Sequence, residues 1–166
     1  RDDESDDAEF YTKPRLVNHL DDTAIEVLSG MYGGLIRPGS KVLDLMSSWK
    51  SHLPEELELD SVTGLGMNSA ELDENQRLSH RVIHDLNRNP SLPFADGQFD
   101  TALCTVSVEY LLQPFDVFAD VARVLKPGGR LLVLEFSKPA NPLLSKAYDT
   151  YSFRVLPLMG RLVAND

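Results

Sequence analysis

The chain has 166 residues, one cysteine and a formal net charge of −10, from 26 acidic against 16 basic side chains. That length suits one domain. Its 42% hydrophobic and 25% charged content suits a globular protein rather than a disordered or fibrous one. The acid excess disfavours a nucleic-acid partner, whose phosphates call for a basic surface. A single cysteine excludes an internal disulfide framework and a cysteine-rich zinc site, and it fits a reducing, cytoplasmic setting. No apolar run approaches the ~18–20 residues of a membrane span, which leaves only peripheral membrane contact open.

Residues 1–10 hold six acids (Asp2, Asp3, Glu4, Asp6, Asp7, Glu9) beside Arg1, about half of the net charge. Such a block reads as a solvated, disordered tail, leaving 11–166 as the domain. Next comes an entry segment with Lys13 and Arg15. A helix follows, with Thr23 and Glu26 at capping-box spacing and Ile25, Leu28, Tyr32 and Leu35 on one face. Gly33-Gly34 is placed to end it, and Pro38-Gly39 marks a turn.

Five short apolar runs read as strands: 41–45 (KVLDL), 61–65 (SVTGL), 81–84 (RVIH), 99–105 (FDTALCT) and 130–136 (RLLVLEF). Several are nearly continuous apolar runs, as expected of strands covered on both faces. Between them lie helical patterns. Asn68 or Ser69 caps a short one. A longer one spans about 114–125 with a stripe of Phe115, Phe118, Ala122 and Leu125, and stops at Lys126-Pro127-Gly128-Gly129. Strands alternating with helices predict a parallel sheet with right-handed crossovers.

In such sheets ligands bind beyond the carboxyl ends of the strands. Those ends carry Asp44 to Trp49, Gly66 to Asn68, Asp85-Leu86 and Cys104 to Ser107. Small and polar residues converge there, as a nucleoside-like ligand requires. The histidines His19, His52, His80 and His84 have no metal-ligand spacing. Cys104 reads as a small buried side chain rather than a nucleophile.

The strand VLDLMSS (42–48), LPFADGQFD (92–100) and RVLKPGGRLLVLEF (123–136) together resemble the class I S-adenosylmethionine-dependent methyltransferases. The segment 136–166 (FSKPANPLLSKAYDTYSFRVLPLMGRLVAND) is similar to the ubiquinone/menaquinone-biosynthesis C-methyltransferase family. The first half, with VLDLMSSWKSHLP, GLGMN and LCTVSVEYL, resembles a less characterised group of methyltransferase-like proteins. The chain therefore reads as a divergent member, a fusion of two relatives or a composite.

The resemblance implies an α/β fold, a Rossmann-like, mostly parallel sheet flanked by helices. That family's chain continues past the position of Asp166, so the expectation is a C-terminally truncated sheet. It also implies S-adenosyl-L-methionine as cofactor, held by Asp44, Ser47, Trp49, Gly66, Met67, Asn68, Asp85, Leu86 and Thr105. For substrate it implies a small-molecule, quinone-type acceptor near Tyr148, Tyr151 and Arg154, where Arg154 replaces the family's usual His. Methyl transfer to carbon gains from a base, for which Asp149, Glu109 and His19 are candidates.

Two departures bear on cofactor binding. The family's acidic-x-Gly-x-Gly-x-Gly loop lets backbone approach the cofactor. Here Asp44 is kept, but Met46, Ser48 and Lys50 stand at the glycines. Where an acid usually holds the ribose hydroxyls, Gly66 stands, with Asn68 or Glu71 as substitutes. These departures open an alternative, a methyltransferase-like binding or regulatory protein with weakened cofactor affinity. A nicotinamide-dependent oxidoreductase is disfavoured, because no G-x-G-x-x-G follows the first strand.

Overall fold

The computed structural model describes residues 13–135 and Lys146. The acidic tail therefore lies outside the described residues. So do Tyr148, Asp149, Tyr151 and Arg154. The chain divides into two units, Arg1–Glu135 and Phe136–Asp166, and the first is described below.

Its elements in chain order are α1 (Asp22–Leu35), β1 (Lys41–Leu45), β2 (Ser61–Gly66), α2 (Ser69–Glu74), β3 (His80–Ile83), β4 (Phe99–Thr105), α3 (Pro114–Val124) and β5 (Leu125–Leu134), with a 3-10 turn at Val108–Tyr110 before α3. The five strands form one parallel sheet in the order β3-β2-β1-β4-β5. The order reverses between β1 and β4, which opens a crevice at their carboxyl ends.

The apolar strands are explained by burial on both faces. Leu43, Leu45, Ala102 and Cys104 pack with Val117, Val121 and Val124 of α3. Val42, Val62 and Leu103 pack on the other face with Leu28, Tyr32 and Ile36 from α1 and its end. No strand of the sheet's centre has a solvent side, so polar alternation is absent.

Several local expectations are corrected. Asp21, not Thr23, caps α1, accepting from the Ala24 amide at 2.9 Å. Gly33-Gly34 does not end α1; the helix runs to Leu35, and Ile36 rather than Leu35 is buried. The buried stripe of α3 is Val117–Val121–Val124, while Phe115 is 89% exposed. The valines face inward because they pack against Leu43, Leu45, Ala102 and Cys104 of the sheet. Lys126 to Gly129 lies inside β5, not before it. Leu125 pairs with Phe99, and the ladder slips by three residues before Thr101 meets Arg130. The extra residues form a bulge, with Gly128 at φ 79.

Arg123 ties the two family-like motifs together. Its guanidinium bonds Asp120 (2.7 and 2.9 Å), Asp96 (2.7 Å) and the carbonyls of Leu92 and Phe94 (3.0 and 2.9 Å). Asp120 in turn accepts from the Leu92 amide at 2.6 Å. LPFADGQFD is thus a loop clamped onto α3. Arg123→Met should cost about 1–3 kcal/mol, because the carbonyls lose their donor. The check is a lower urea midpoint, together with faster amide exchange at residues 92–97.

Candidate active site

The end of β1 sets the geometry. Asp44 is 4% exposed, and its Oδ2 accepts from the hydroxyls of Ser47 and Ser51, both at 2.6 Å. Asn75, just beyond α2, donates to the Ser48 carbonyl and to Ser51 Oγ, each at 2.9 Å. This buried network holds the loop 46–51 from both sides. Burial pushes the Asp44 carboxyl up to about 6, although the two serine bonds pull it down.

The loop's first residue keeps a glycine's backbone without being glycine. Met46 has φ 56, while Ser48 and Lys50 are not left-handed. A left-handed L-residue costs roughly 1–2 kcal/mol. Two further strained residues border the same cleft, His52 at φ 54 and Val106 at φ 44. Behind Val106, Glu135 Oε1 accepts the amides of Ser107 (2.7 Å) and Val108 (2.6 Å), which holds that turn.

The path of the loop explains Gly66. The Ser47 amide donates to the Leu65 carbonyl at 2.8 Å, which draws Ser47 over the end of β2. A Cβ on residue 66 would lie 2.3 Å from the Ser47 carbonyl oxygen. No side chain fits there while the loop keeps this course. A carboxylate reaches the same region from α2 instead. Glu71 is 5% exposed and borders the cleft. Its Oε2 accepts from Ser48 Oγ at 2.7 Å and its Oε1 from the Arg15 amide at 2.8 Å.

The cleft opens to solvent at the carboxyl ends of the strands. Asp44, Ser47, Trp49, Gly66, Met67, Asp85, Leu86 and Thr105 all border it. Asn68 does not; its side chain caps α2, accepting from the Glu71 amide at 3.1 Å. Asp85 Oδ1 accepts the amides of Asn87 (2.9 Å) and Arg88 (3.2 Å), fixing the turn after β3. Thr105 Oγ1 meets the Tyr32 hydroxyl at 2.7 Å. Burial pushes that phenol up to about 12, so Tyr32 stays neutral. The strand-end pattern alone did not point to Tyr32, which reaches the site from α1.

One rim is the entry segment. Arg15, Val17, Asn18 and His19 border the cleft, and Trp49 Nε1 donates to the Val17 carbonyl at 3.0 Å. Lys50 Nζ lies 4.4 Å from the Trp49 ring centre. Of the proposed bases, His19 is on this rim, Glu109 is exposed and outside the cleft, and Asp149 is outside the described residues. Cys104 is buried as expected, its thiol pushed up to about 11 by burial. Among the described residues there is no cluster of His, Cys, Asp and Glu able to hold a metal, and no helix long and apolar enough to cross a membrane.

The residues present suit an adenosyl sulfonium. Carboxylates at Asp44, Glu71 and Asp85 and hydroxyls at Ser47, Ser48 and Thr105 line one cleft with Leu45, Leu65, Leu86 and Leu111. Three acids favour a cationic ligand, the apolar walls suit a flat base, and the hydroxyls and carboxylates suit a ribose diol.

Comparison with known proteins agrees with this geometry. The family model described as the ubiE/COQ5 methyltransferase family matches residues 37–166. A ubiquinone/menaquinone biosynthesis C-methyltransferase UbiE of Hahella chejuensis is 38% identical over 141 residues, covering 79% of this chain and 57% of that protein. The one of Stutzerimonas stutzeri is 56% identical over 75 residues, covering 45% and 29%. Among solved structures, the PH0226 protein of Pyrococcus horikoshii superposes with a TM-score of 0.60 at 24% identity, over 75% of this chain and 64% of that one. A methyltransferase of Bacillus halodurans gives 0.56 at 19% identity, over 78% and 57%. These structures support the fold. The chain spans between about three-tenths and three-fifths of the length of these curated relatives.

Two outcomes follow from the loop. Asp44 binds its proton more tightly folded (about 6) than unfolded (3.8). Its contribution to stability therefore falls as pH rises from about 4 to about 6, and stays low above. Asp44→Asn should flatten that slope and raise stability near pH 7.5 by up to about 3 kcal/mol in urea titrations. Gly66→Asp should displace the loop and cost about 1–3 kcal/mol. A circular-dichroism melt unchanged from the parent would show that the loop yields freely.

Proposed function

Because the chain belongs to the ubiE/COQ5 methyltransferase family, we propose that it binds S-adenosylmethionine in this cleft and methylates a carbon of a small-molecule, quinol-type acceptor. One observation carries the reading. Three carboxylates, Asp44, Glu71 and Asp85, border a single cleft at the point where the strand order reverses. The family assignment adds the chemistry, and the names of the UbiE relatives suggest the acceptor.

When bound, S-adenosylmethionine would supply a methyl group activated by a positively charged sulfur. Asp85 and the Leu86 amide would meet the adenine, since both border the cleft. Glu71 takes the part of the ribose-binding acid that Gly66 cannot carry. The pinned loop from Asp44 to Trp49 would hold the amino-acid end, with Thr105 beside it. Displacement at a methyl group needs alignment and a site poor in water more than covalent help from the protein. The fixed loop supplies the first.

The alternative of a binding protein with weakened cofactor affinity keeps one specific support, the Ser47 carbonyl lying over Gly66. Calorimetry with S-adenosylhomocysteine separates the two readings. Saturable heat is expected, weakened about tenfold in Glu71→Gln, since a bond to a charged acceptor contributes about 1.5–3 kcal/mol and a neutral amide keeps part of it. No detectable heat even at about millimolar ligand, near the weak end of specific affinity, would sink the enzyme reading.

A further inference from the structure

We propose that His52 is the proton acceptor of the cleft, receiving at its ring nitrogen Nε2 the proton that a phenolic acceptor loses on methylation. The inference rests on the methyltransferase reading and names a group which that reading leaves open. Methylating a phenol at carbon replaces a C–H bond with a C–C bond. The ring hydrogen or the hydroxyl hydrogen leaves as one proton per turnover, with its electron pair kept by the ring system. Some group must take that proton and pass it to solvent.

The other ionisable groups of the cleft serve elsewhere, and the Tyr110 phenol, its pKa pushed up by burial and by Glu109, stays protonated. Asp44 Oδ2 holds Ser47 and Ser51. Both oxygens of Glu71 accept hydrogen bonds, from Ser48 and the Arg15 amide. Asp85 Oδ1 accepts two amides of its own turn. The ring of His84 meets the Asn89 carbonyl at 2.8 Å through Nε2. Lys50 is a cation over Trp49. His19 lies on the exposed entry segment.

His52 differs from all of these. It borders the cleft, and its Nδ1 is buried without a hydrogen-bond partner. Its neighbours Ser51 and Leu53 are both buried, and Ser51 is locked by Asp44 and Asn75. The backbone between them sits at φ 54, a strained conformation for histidine. A pinned loop thus projects one imidazole toward the cleft at a conformational cost. Strain of this kind gathers at functional sites.

The surroundings favour the proton-accepting form. Burial comes first in lowering the ring's affinity for a proton, followed by the charges of Lys50 on its own loop and His19 on the entry segment. The ring therefore stays neutral near pH 7 and releases a captured proton readily. For Nε2 to accept, the neutral ring carries its one hydrogen at Nδ1.

The test uses the full chain, with hydroquinone as probe. Histidine ring resonances are followed by NMR while hydroquinone is added, with and without S-adenosylhomocysteine. The His52 signals, assigned by their loss in His52→Gln, should shift. His52→Ala should bind S-adenosylhomocysteine within about twofold of the parent yet methylate hydroquinone roughly 10²–10⁴-fold more slowly, with partial rescue by added imidazole. Parent kcat should fall as pH drops through the His52 titration, and that limb should vanish in the variant. A rate within about threefold of the parent overturns the assignment. A parent that binds no S-adenosylhomocysteine overturns the methyltransferase reading instead. The hydroquinone titration then decides His52 by itself: a shift keeps it as the phenol-facing group, and unmoved resonances remove it.

Discussion

The buried carboxylate at the end of β1 is the constraint on which the rest of the site depends. Asp44 is almost wholly withdrawn from water, so its charge must be met by hydrogen bonds or given up. The serines at 47 and 51 meet part of it, and in doing so they fold the following loop back on the strand. Asn75 closes the other side. The carboxyl still rises to about 6, so the bonds offset burial only partly. The protein accepts a buried acid because that acid fixes a loop.

A glycine-rich loop and this serine-rich loop solve one problem in different ways. Glycines allow backbone to approach a ligand because no side chain intervenes and left-handed angles cost little. Here only Met46 keeps the left-handed turn, and side-chain hydrogen bonds replace backbone freedom as the source of shape. The consequences run outward. Ser47 crosses β2, residue 66 loses room for a side chain, and the acid at that end moves to Glu71 on α2. The glycine at 66 and the missing glycines of the loop are therefore one structural change, not two independent losses.

What could be read from the sequence divides along physical lines. The strands were legible because a sheet covered on both faces leaves continuous apolar runs, and Val42-Leu43 or Ala102-Leu103-Cys104 admit few other readings. The face of α3 was not, because Phe115, Phe118 and Ala122 make as good a stripe as the valines, and only packing against the sheet chooses between them. The Lys126–Gly129 stretch looked like a helix end because glycines also serve bulges. At the site, residues on strand ends were legible because topology alone brings them together. Glu71, Tyr32 and His52 were harder. Their place depends on how a loop runs, on which side of α1 faces the sheet, and on a backbone angle that no spacing reveals.

The occupied state of Glu71 bears on whether the altered cleft can still serve a cofactor. Both its oxygens accept a hydrogen bond, which at first sight leaves nothing for a ribose. A carboxylate, however, offers about four acceptor positions. The donors from Ser48 and the Arg15 amide use two of them and aim the group rather than exhaust it. A diol presents two hydroxyl donors, which matches the two that remain. The same bonds keep the charge of Glu71 compensated while the cleft is open, so binding need not first break an ion pair. The two hydrogen bonds on Glu71 thus orient its carboxylate and leave acceptor positions open.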